Sequence, residues 1–332
     1  MVVSQPDAAM PSPAPVVFFG SPQFAVPTLN ALASDRRFAV RLVVTQPPRP
    51  AGRGRHVHRS AVHEAAERHG IPVVTPHRLR GTEILATLAA SEPSLFVVAA
   101  YGKILRPEAL AIPTRGTLNV HASLLPAYRG ASPISAALLD GCATTGVSIM
   151  LMDVGLDTGP VLSQATVVIP PTATTETLTT VLASVGAGLL VQTAARWLAK
   201  GIQPQPQDGT RATMTRLIRK EDGAVDWAAP AARITRMEQA YTPWPGVFSW
   251  HRGQRVRLFE LESTQSGGDA PVGAIIALDG ERLRVRTGEG DLLIARMQPE
   301  GKAAMTAAAY VQGRPETIGS QFDPLPAVTT GP

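Results

Sequence analysis

An α/β fold, with a mostly parallel sheet first and a smaller antiparallel β-barrel after it, is what this sequence predicts. Three observations carry that expectation. Over the first two hundred residues, short apolar runs alternate with stretches of helical spacing, the pattern of a parallel sheet covered on both faces. Beyond a polar stretch, GIQPQPQDG at 201–209, the pattern changes to short runs set apart by turn residues. At 332 residues the chain is also long for a single core, which favours two domains.

Val16–Phe19 is the first strand, ending at Gly20, and Phe24–Leu32 follows with helical spacing. Val40–Thr45, Ile71–Val74, Leu95–Ala100 and Thr117–His121 continue the strand series, with helical stretches near 60–69 and 82–90. Pro133 suits the first turn of a helix. Gly146–Met152 and Val161–Ile169 are two further strands joined by a Gly/Asp loop. Leu178–Leu198 is a long helix with Leu178, Val181, Leu182, Val185 and Leu189 on one face. In the second half, Val256–Leu261, Gly273–Leu278, Leu283–Thr287 and Leu292–Ala295 are short strands punctuated by Asp279-Gly280 and Gly288-Glu289-Gly290. The expected partition is a disordered tail over 1–15, a first domain over 16–200, a linker over 201–210, a second domain over 211–318 and a tail over 319–332.

Hydrophobic residues at 44% and charged residues at 17% describe an ordinary soluble globular protein. No unbroken apolar run reaches membrane-spanning length, and the first fifteen residues lack the charged and apolar regions of a signal peptide. The single cysteine, Cys142, excludes an internal disulfide and a Cys-clustered zinc site. A cytoplasmic protein is expected. The net charge of +5 is unevenly spread: residues 41–60 hold Arg41, Arg49, Arg53, Arg55 and Arg59 with no acid, and Arg211, Arg216, Arg219 and Lys220 form a second strip. Taken alone, such strips are most simply solvated faces.

Two common cofactor motifs are missing. The turn after the first strand, Gly20-Ser21-Pro22-Gln23-Phe24, has one glycine and a proline where a dinucleotide fingerprint needs three glycines, and there is no P-loop. The chemistry lies elsewhere, in LNVHASLLPAYRGASPI at 118–134. There Asn119 and His121 end a strand and a proline-broken loop follows, at the edge where open α/β sheets bind ligands. A second segment, Met152-Asp153-Val154-Gly155-Leu156-Asp157-Thr158-Gly159-Pro160, carries two carboxylates in a glycine-rich connection. Asp153 reads as a local backbone cap. Asp157, folded back toward Asn119 and His121, would complete a set in which an amide donates to an oxyanion, an imidazole exchanges protons and a carboxylate orients it. No serine or cysteine nucleophile is needed, so the set suits acyl transfer in which the substrate's own amine attacks. A hydrogen-bonded structural histidine is the simpler reading of His121 until Asn119 and Asp157 are considered with it.

These residues resemble the folate-dependent formyltransferases. The resemblance runs through Asn119-x-His121 with Ser-Leu-Leu-Pro, and through Gly146-Val-Ser-Ile-x-x-Met152 leading to Leu156-Asp157-x-Gly159. Phe19-Gly20-Ser21-Pro22-x-Phe24, Gln46-Pro-x-Arg49-Pro-Ala-Gly-Arg-Gly54 and Tyr101-Gly-x-Ile-Leu105 extend it, as do Asp226-Trp227, Pro243-Trp-Pro245 and Gln298-Pro-x-Gly301-Lys302 in the second half. It covers roughly residues 16–305 and is strongest for the branch that acts on aminoacyl-tRNA. Ala122, where glycine is common, and Leu151, where glutamine or an aromatic is usual, depart from the pattern without removing a catalytic group.

The resemblance implies a Rossmann-like first domain and an OB-like barrel. It implies 10-formyltetrahydrofolate as formyl donor and the α-amine of methionine esterified to initiator tRNA as acceptor, with no metal and no membrane partner. Catalysis falls to Asn119, His121 and Asp157. The folate site takes Ser123, Leu124, Leu125 and Pro126, with Tyr101–Leu105 as a nearby wall. The Gln46–Arg59 loop is expected to reach the tRNA through Arg53, with Arg49 and Arg55 as further candidates, and Arg219 and Lys220 are candidate phosphate contacts. His56, His58 and His63 have metal-like spacing, but arginines between them and no acid before Glu64 argue against a metal. Trp227, Trp244 and Trp250, beside Pro243, Pro245 and Phe248, are expected to pack rather than stack on bases. A monomer is expected. The rivals are a formyltransferase for a small amine nucleotide, a folate hydrolase, and a non-catalytic RNA-binding protein that keeps the same shell.

Overall fold

In the computed structural model, residues 12–51 and 56–325 are described. The chain forms two compact units. The first comprises Met1–Pro133, Thr144–Val168 and Thr179–Thr215; the second comprises Ile134–Ala143, Ile169–Leu178 and Arg216–Pro332.

The first unit opens with β1 (Ala14–Gly20), α1 (Val26–Ser34) and β2 (Phe38–Val44). A two-stranded ribbon, β3 (Arg49–Ala51) and β4 (His56–His58), precedes α2 (Ala61–Arg68) and β5 (Val73–Val74). Ser60 caps α2 by accepting from the His63 backbone N–H at 3.0 Å, a turn chemistry that fixes where the helix starts. Then come α3 (Thr82–Ala89), β6 (Leu95–Ala99), α4 (Pro107–Leu110), β7 (Thr117–His121), β8 (Arg129–Gly130), α5 (Pro133–Leu139), β9 (Thr144–Leu151), β10 (Val161–Val168) and α6 (Thr175–Leu198). The main sheet has seven strands in the order β10-β9-β7-β6-β1-β2-β5. β7, β6, β1, β2 and β5 run parallel; β9 and β10 are added at one side through antiparallel pairings, so that only β9 runs against the rest. Every residue of β6 and β7 is buried, as expected of central strands covered on both faces.

Helix α6 is long and apolar enough to cross a membrane by length and composition, although no unbroken apolar run in the sequence is. Half of its most apolar stretch is buried within the protein, with Leu182, Ala187, Leu190 and Ala194 at 5% exposure or less, as in a core helix. Gly186 explains its close approach to the sheet: a Cβ there would lie 2.9 Å from Val120 Cγ1.

The expected linker is not a bare connection. Gln205 pairs with Val161 of the edge strand through two backbone hydrogen bonds of 2.8 Å, and β11 (Met214–Thr215) pairs with β8. Residues 201–215 therefore belong to the first unit, and the second resumes at Arg216 rather than 211. The physical reason is the open edge of β10, whose unpaired backbone accepts an extended segment.

The second unit contains α7 (Ala231–Tyr241), β12 (Val247–His251), β13 (Gln254–Thr264), β14 (Ile275–Asp279), β15 (Arg282–Arg286), β16 (Asp291–Pro299), β17 (Met305–Thr306) and α8 (Ala307–Gln312). The strands form an antiparallel six-stranded sheet, β12-β13-β16-β15-β14, with β17 on β16. Val256, Leu258, Leu283, Val285, Leu292, Ile294 and Met297 fill its core, each at most 1% exposed. Residues 134–143 and 169–178 join this unit through Arg236 Nε, which donates to Leu139 O at 2.9 Å, and Thr175 Oγ1, which donates to Ala240 O at 2.6 Å.

Two expectations are corrected here. Residues 319–325 are not a tail: Phe322 is 2% exposed and stacks on Trp227 with ring centroids 4.7 Å apart, and Ile275 N donates to Ser320 O. Trp227 packs and donates to Ser249 Oγ at 2.9 Å, and Trp250 is half-buried against Phe248, but Trp244 is 56% exposed. Its neighbours Pro243 and Pro245 hold it in a surface turn, each in a cis peptide.

Candidate active site

Strand β7 ends the burial of a polar pair. Asn119 and His121 are two residues apart on an extended strand, so their side chains share a face, and they are 8% and 6% exposed. The loop after β7 then folds over them. His121 Nε2 lies 3.0 Å from Tyr128 O, and since a carbonyl only accepts, Nε2 carries the proton in that contact. Its other ring nitrogen, Nδ1, is 3.6 Å from Asp157 Oδ2.

Asp157 reaches this place from the loop between β9 and β10. Its Oδ2 accepts from Gly130 N at 2.8 Å, and its Oδ1 is 3.5 Å from Asn119 Nδ2. The three residues expected to act together are thus brought together. Asp157 has φ +54°, a left-handed conformation rare for residues other than glycine. Gly159 beside it permits a close approach that nothing larger could make, since a Cβ would fall 1.8 Å from Leu151 O. Asp153 takes the capping role: its Oδ1 accepts from Gly155 N at 3.0 Å and from Thr158 Oγ1 at 2.6 Å.

In the 123–126 loop, the Ser123 hydroxyl is fully buried and donates to Ala127 O at 2.6 Å, so it serves the loop's own shape. Ser148 of β9 braces the same loop, accepting from Leu125 N and donating to Ser123 O, while Gln164 Nε2 donates to Leu125 O at 2.9 Å. Leu125 and Pro126 line a cleft of about 390 Å³ with Val161–Gln164, Gln205–Asp208 and Arg211. A second cleft, of about 500 Å³, is lined by Lys103, Ile104 and Arg106 after β6 and by His77–Arg80 after β5. It is strongly cationic, and Ile104 is 82% exposed within it. Tyr101 lies deeper, 1% exposed in edge contact with Phe19, and burial pushes its hydroxyl up to about 12.

The arginine candidates divide. Arg53 and Arg55 lie outside the described residues, and Arg49 opens the β3–β4 ribbon. Arg219 and Lys220 are exposed at the start of the second unit, whereas Arg216 beside them is committed to Asp222 at 2.6 Å. Among the described residues, no group of three or more His, Cys, Asp or Glu side chains is placed to hold a metal ion. Sequence reasoning missed Arg129, Ser148, Gln164 and Gln207, all polar groups that shape the loops around His121 and Asp157.

Comparison with known proteins places this geometry. The family model described as formyl transferase matches residues 14–194, and that of the formyl transferase C-terminal domain matches 217–315. The chain is 48% identical over 303 residues to the methionyl-tRNA formyltransferase of Roseiflexus sp. (strain RS-1), covering 91% of this chain and 93% of that one. It is 44% identical over 321 residues to the protein of the same name from Synechococcus sp. (strain JA-2-3B'a(2-13)), covering 94% and 99%. Its fold is shared with the Helicobacter canadensis N-formyltransferase solved with folinic acid and dTDP-3-aminofucose, at TM-score 0.61 and 16% identity over 86% of this chain and 98% of that one.

Proposed function

The chain belongs to the formyl transferase family, and from that premise we propose that it moves the formyl group of 10-formyltetrahydrofolate onto the α-amine of methionyl-initiator tRNA, in support of translation initiation. The observation that carries the chemistry is the set at the carboxyl edge of the sheet, buried Asn119 and His121 with half-buried Asp157, which is oriented by Gly130 N. The acceptor is inferred from relatives at 44–48% identity that match both units.

The folate carries the formyl group as an N10 amide. Asn119 donates a hydrogen bond to the formyl oxygen as the acceptor's neutral amine attacks the carbon; His121 joins it by turning its Nε2–H hydrogen bond from Tyr128 O to that oxygen, keeping the proton. Removing one such donor typically costs on the order of a hundredfold or more in rate. The new N–C bond forms and the bond to N10 breaks. The proton lost by the amine passes toward Asp157, directly or through water, and a proton returns to N10. Acid–base help of this kind is worth about a hundredfold to ten-thousandfold. Leu124, Leu125 and Pro126 would wall the folate ring on a loop that Ser123 and Ser148 keep rigid. The cationic cleft with Arg78, Arg80, Lys103 and Arg106 suits the folate's glutamyl carboxylates.

Arg53, with Arg49 and Arg55, would meet the tRNA acceptor end, and Arg219 and Lys220 its phosphates; the second unit is the tRNA-binding domain in this reading. The protein would act as a monomer in the cytoplasm. His121→Ala tests it: formyl transfer collapses while tRNA binding barely changes. A variant that keeps wild-type turnover would sink the catalytic assignment.

A further inference from the structure

The segment over 201–215, which closes the first unit, does more for the Asp157 loop than a connection requires. Gln207 is half-buried, and its side-chain amide joins the two loops that carry the reacting groups. Nε2 donates to Asp157 O at 2.9 Å and to Gly159 O at 2.7 Å. Oε1 accepts from Arg129 Nε at 3.1 Å and Nη2 at 2.8 Å. Arg129 sits between Tyr128, whose carbonyl holds His121 Nε2, and Gly130, whose N–H holds Asp157 Oδ2. The same loop is clasped again from the segment: Tyr128 N donates to Thr213 Oγ1 at 2.7 Å and Thr215 Oγ1 to Arg129 O at 3.1 Å.

Attachment of the segment to the sheet does not need this amide, because Gln205 already pairs with Val161 through its backbone. What the amide adds is specific to Asp157. Asp157 sits at φ +54°, a conformation that costs a non-glycine residue free energy, and two hydrogen bonds onto the carbonyls of 157 and 159 hold it there. We propose that Gln207 is a positioning residue for formyl transfer, holding the Asp157 carboxylate against Asn119 and His121, with Arg129 as its brace. The inference rests on the reading of Asp157 given above.

Gln207→Glu is the informative variant. It has the same shape and keeps an acceptor for Arg129, but a carboxylate cannot donate to the two carbonyls. Gln207→Ala removes both ends of the bracket. Steady-state formyl transfer and thermal unfolding are measured for the wild type, Q207E, Q207A, Arg129→Ala and the Q207A/R129A double variant. Misplacement of a reacting group by an ångström costs about a hundredfold, so Q207E and Q207A are expected to lose kcat on that order while KM for both substrates stays within about twofold. Q207E is expected to melt close to the wild type, and the double variant to be no slower than Q207A, since the two residues act through one bracket. Wild-type kcat in Q207E, or a loss confined to KM or to melting temperature, overturns the proposal. A wild type that does not formylate methionyl-tRNA would instead remove the reading beneath it, a result distinct from an active wild type with indifferent variants.

Discussion

Each unit buries a histidine, and the two differ in what surrounds them. His251, in the second unit, is 3% exposed; Nδ1 meets Tyr310 Oη and Nε2 meets Ser320 Oγ, each at 2.9 Å, with the rings of Tyr310 and Phe322 alongside. Both nitrogens have neutral hydroxyl partners, and burial, helped by Arg252, holds its proton affinity below the ordinary value. His121 is nearly as buried but faces a backbone carbonyl and a carboxylate that the Asn119 amide also approaches, at the open end of a parallel sheet. A buried histidine is therefore uninformative by itself. Partners of unlike chemistry, brought from separate loops to a strand's carboxyl end, separate a reacting group from a packing one.

The sharpest way to break this contrast is to remove each ring in turn. His121→Ala is expected to cost about a hundredfold to ten-thousandfold in turnover, read by steady-state kinetics, with little change in melting temperature. Asn119→Ala should follow at about a hundredfold, as the loss of one oxyanion donor. His251→Ala should do the reverse: turnover per folded molecule is retained, while denaturant titration shows a loss of about 1–3 kcal/mol from stranding the buried Tyr310 hydroxyl. The pH dependence of stability sharpens the point. Because folding lowers the proton affinity of His251, the unfolded chain binds more protons below its ordinary 6.5, so stability falls as the pH drops through that value toward the lower folded one. His251→Asn should flatten this acid-side slope. The smallest effect is expected from Lys220→Ala, one exposed charge, which should lower the salt dependence of tRNA binding by about one phosphate contact.

Much of this was legible in the sequence because the signals were local. Alternating apolar runs and helical spacing placed the central strands, and Asn119-x-His121 at a strand's end, with the Leu156-Asp157-Thr158-Gly159 turn, marked the candidate site whose side chains the fold brings together. What escaped notice depended on contacts distant along the chain. Gln207 lies 50 residues from Asp157 and 78 from Arg129, inside a stretch whose composition says linker. Its one signal was the alternation of glutamine and proline at 203–207, an extended-chain period that suits an edge-strand partner. Phe322 was hidden in a short terminal stretch with no strand or helix period, and Trp244 was misplaced because proline-rich surroundings say turn without saying whether the ring faces inward. The antiparallel pairing of β9 with β7 and β10 was likewise beyond local patterning.

The most direct test is formyl transfer from 10-formyltetrahydrofolate to methionyl-initiator tRNA, run beside free methionine and small amine nucleotides as acceptors. Formylation of the charged tRNA alone is the predicted result. Formylation of a small amine alone would keep the Asn119, His121 and Asp157 chemistry and contradict the acceptor assigned here.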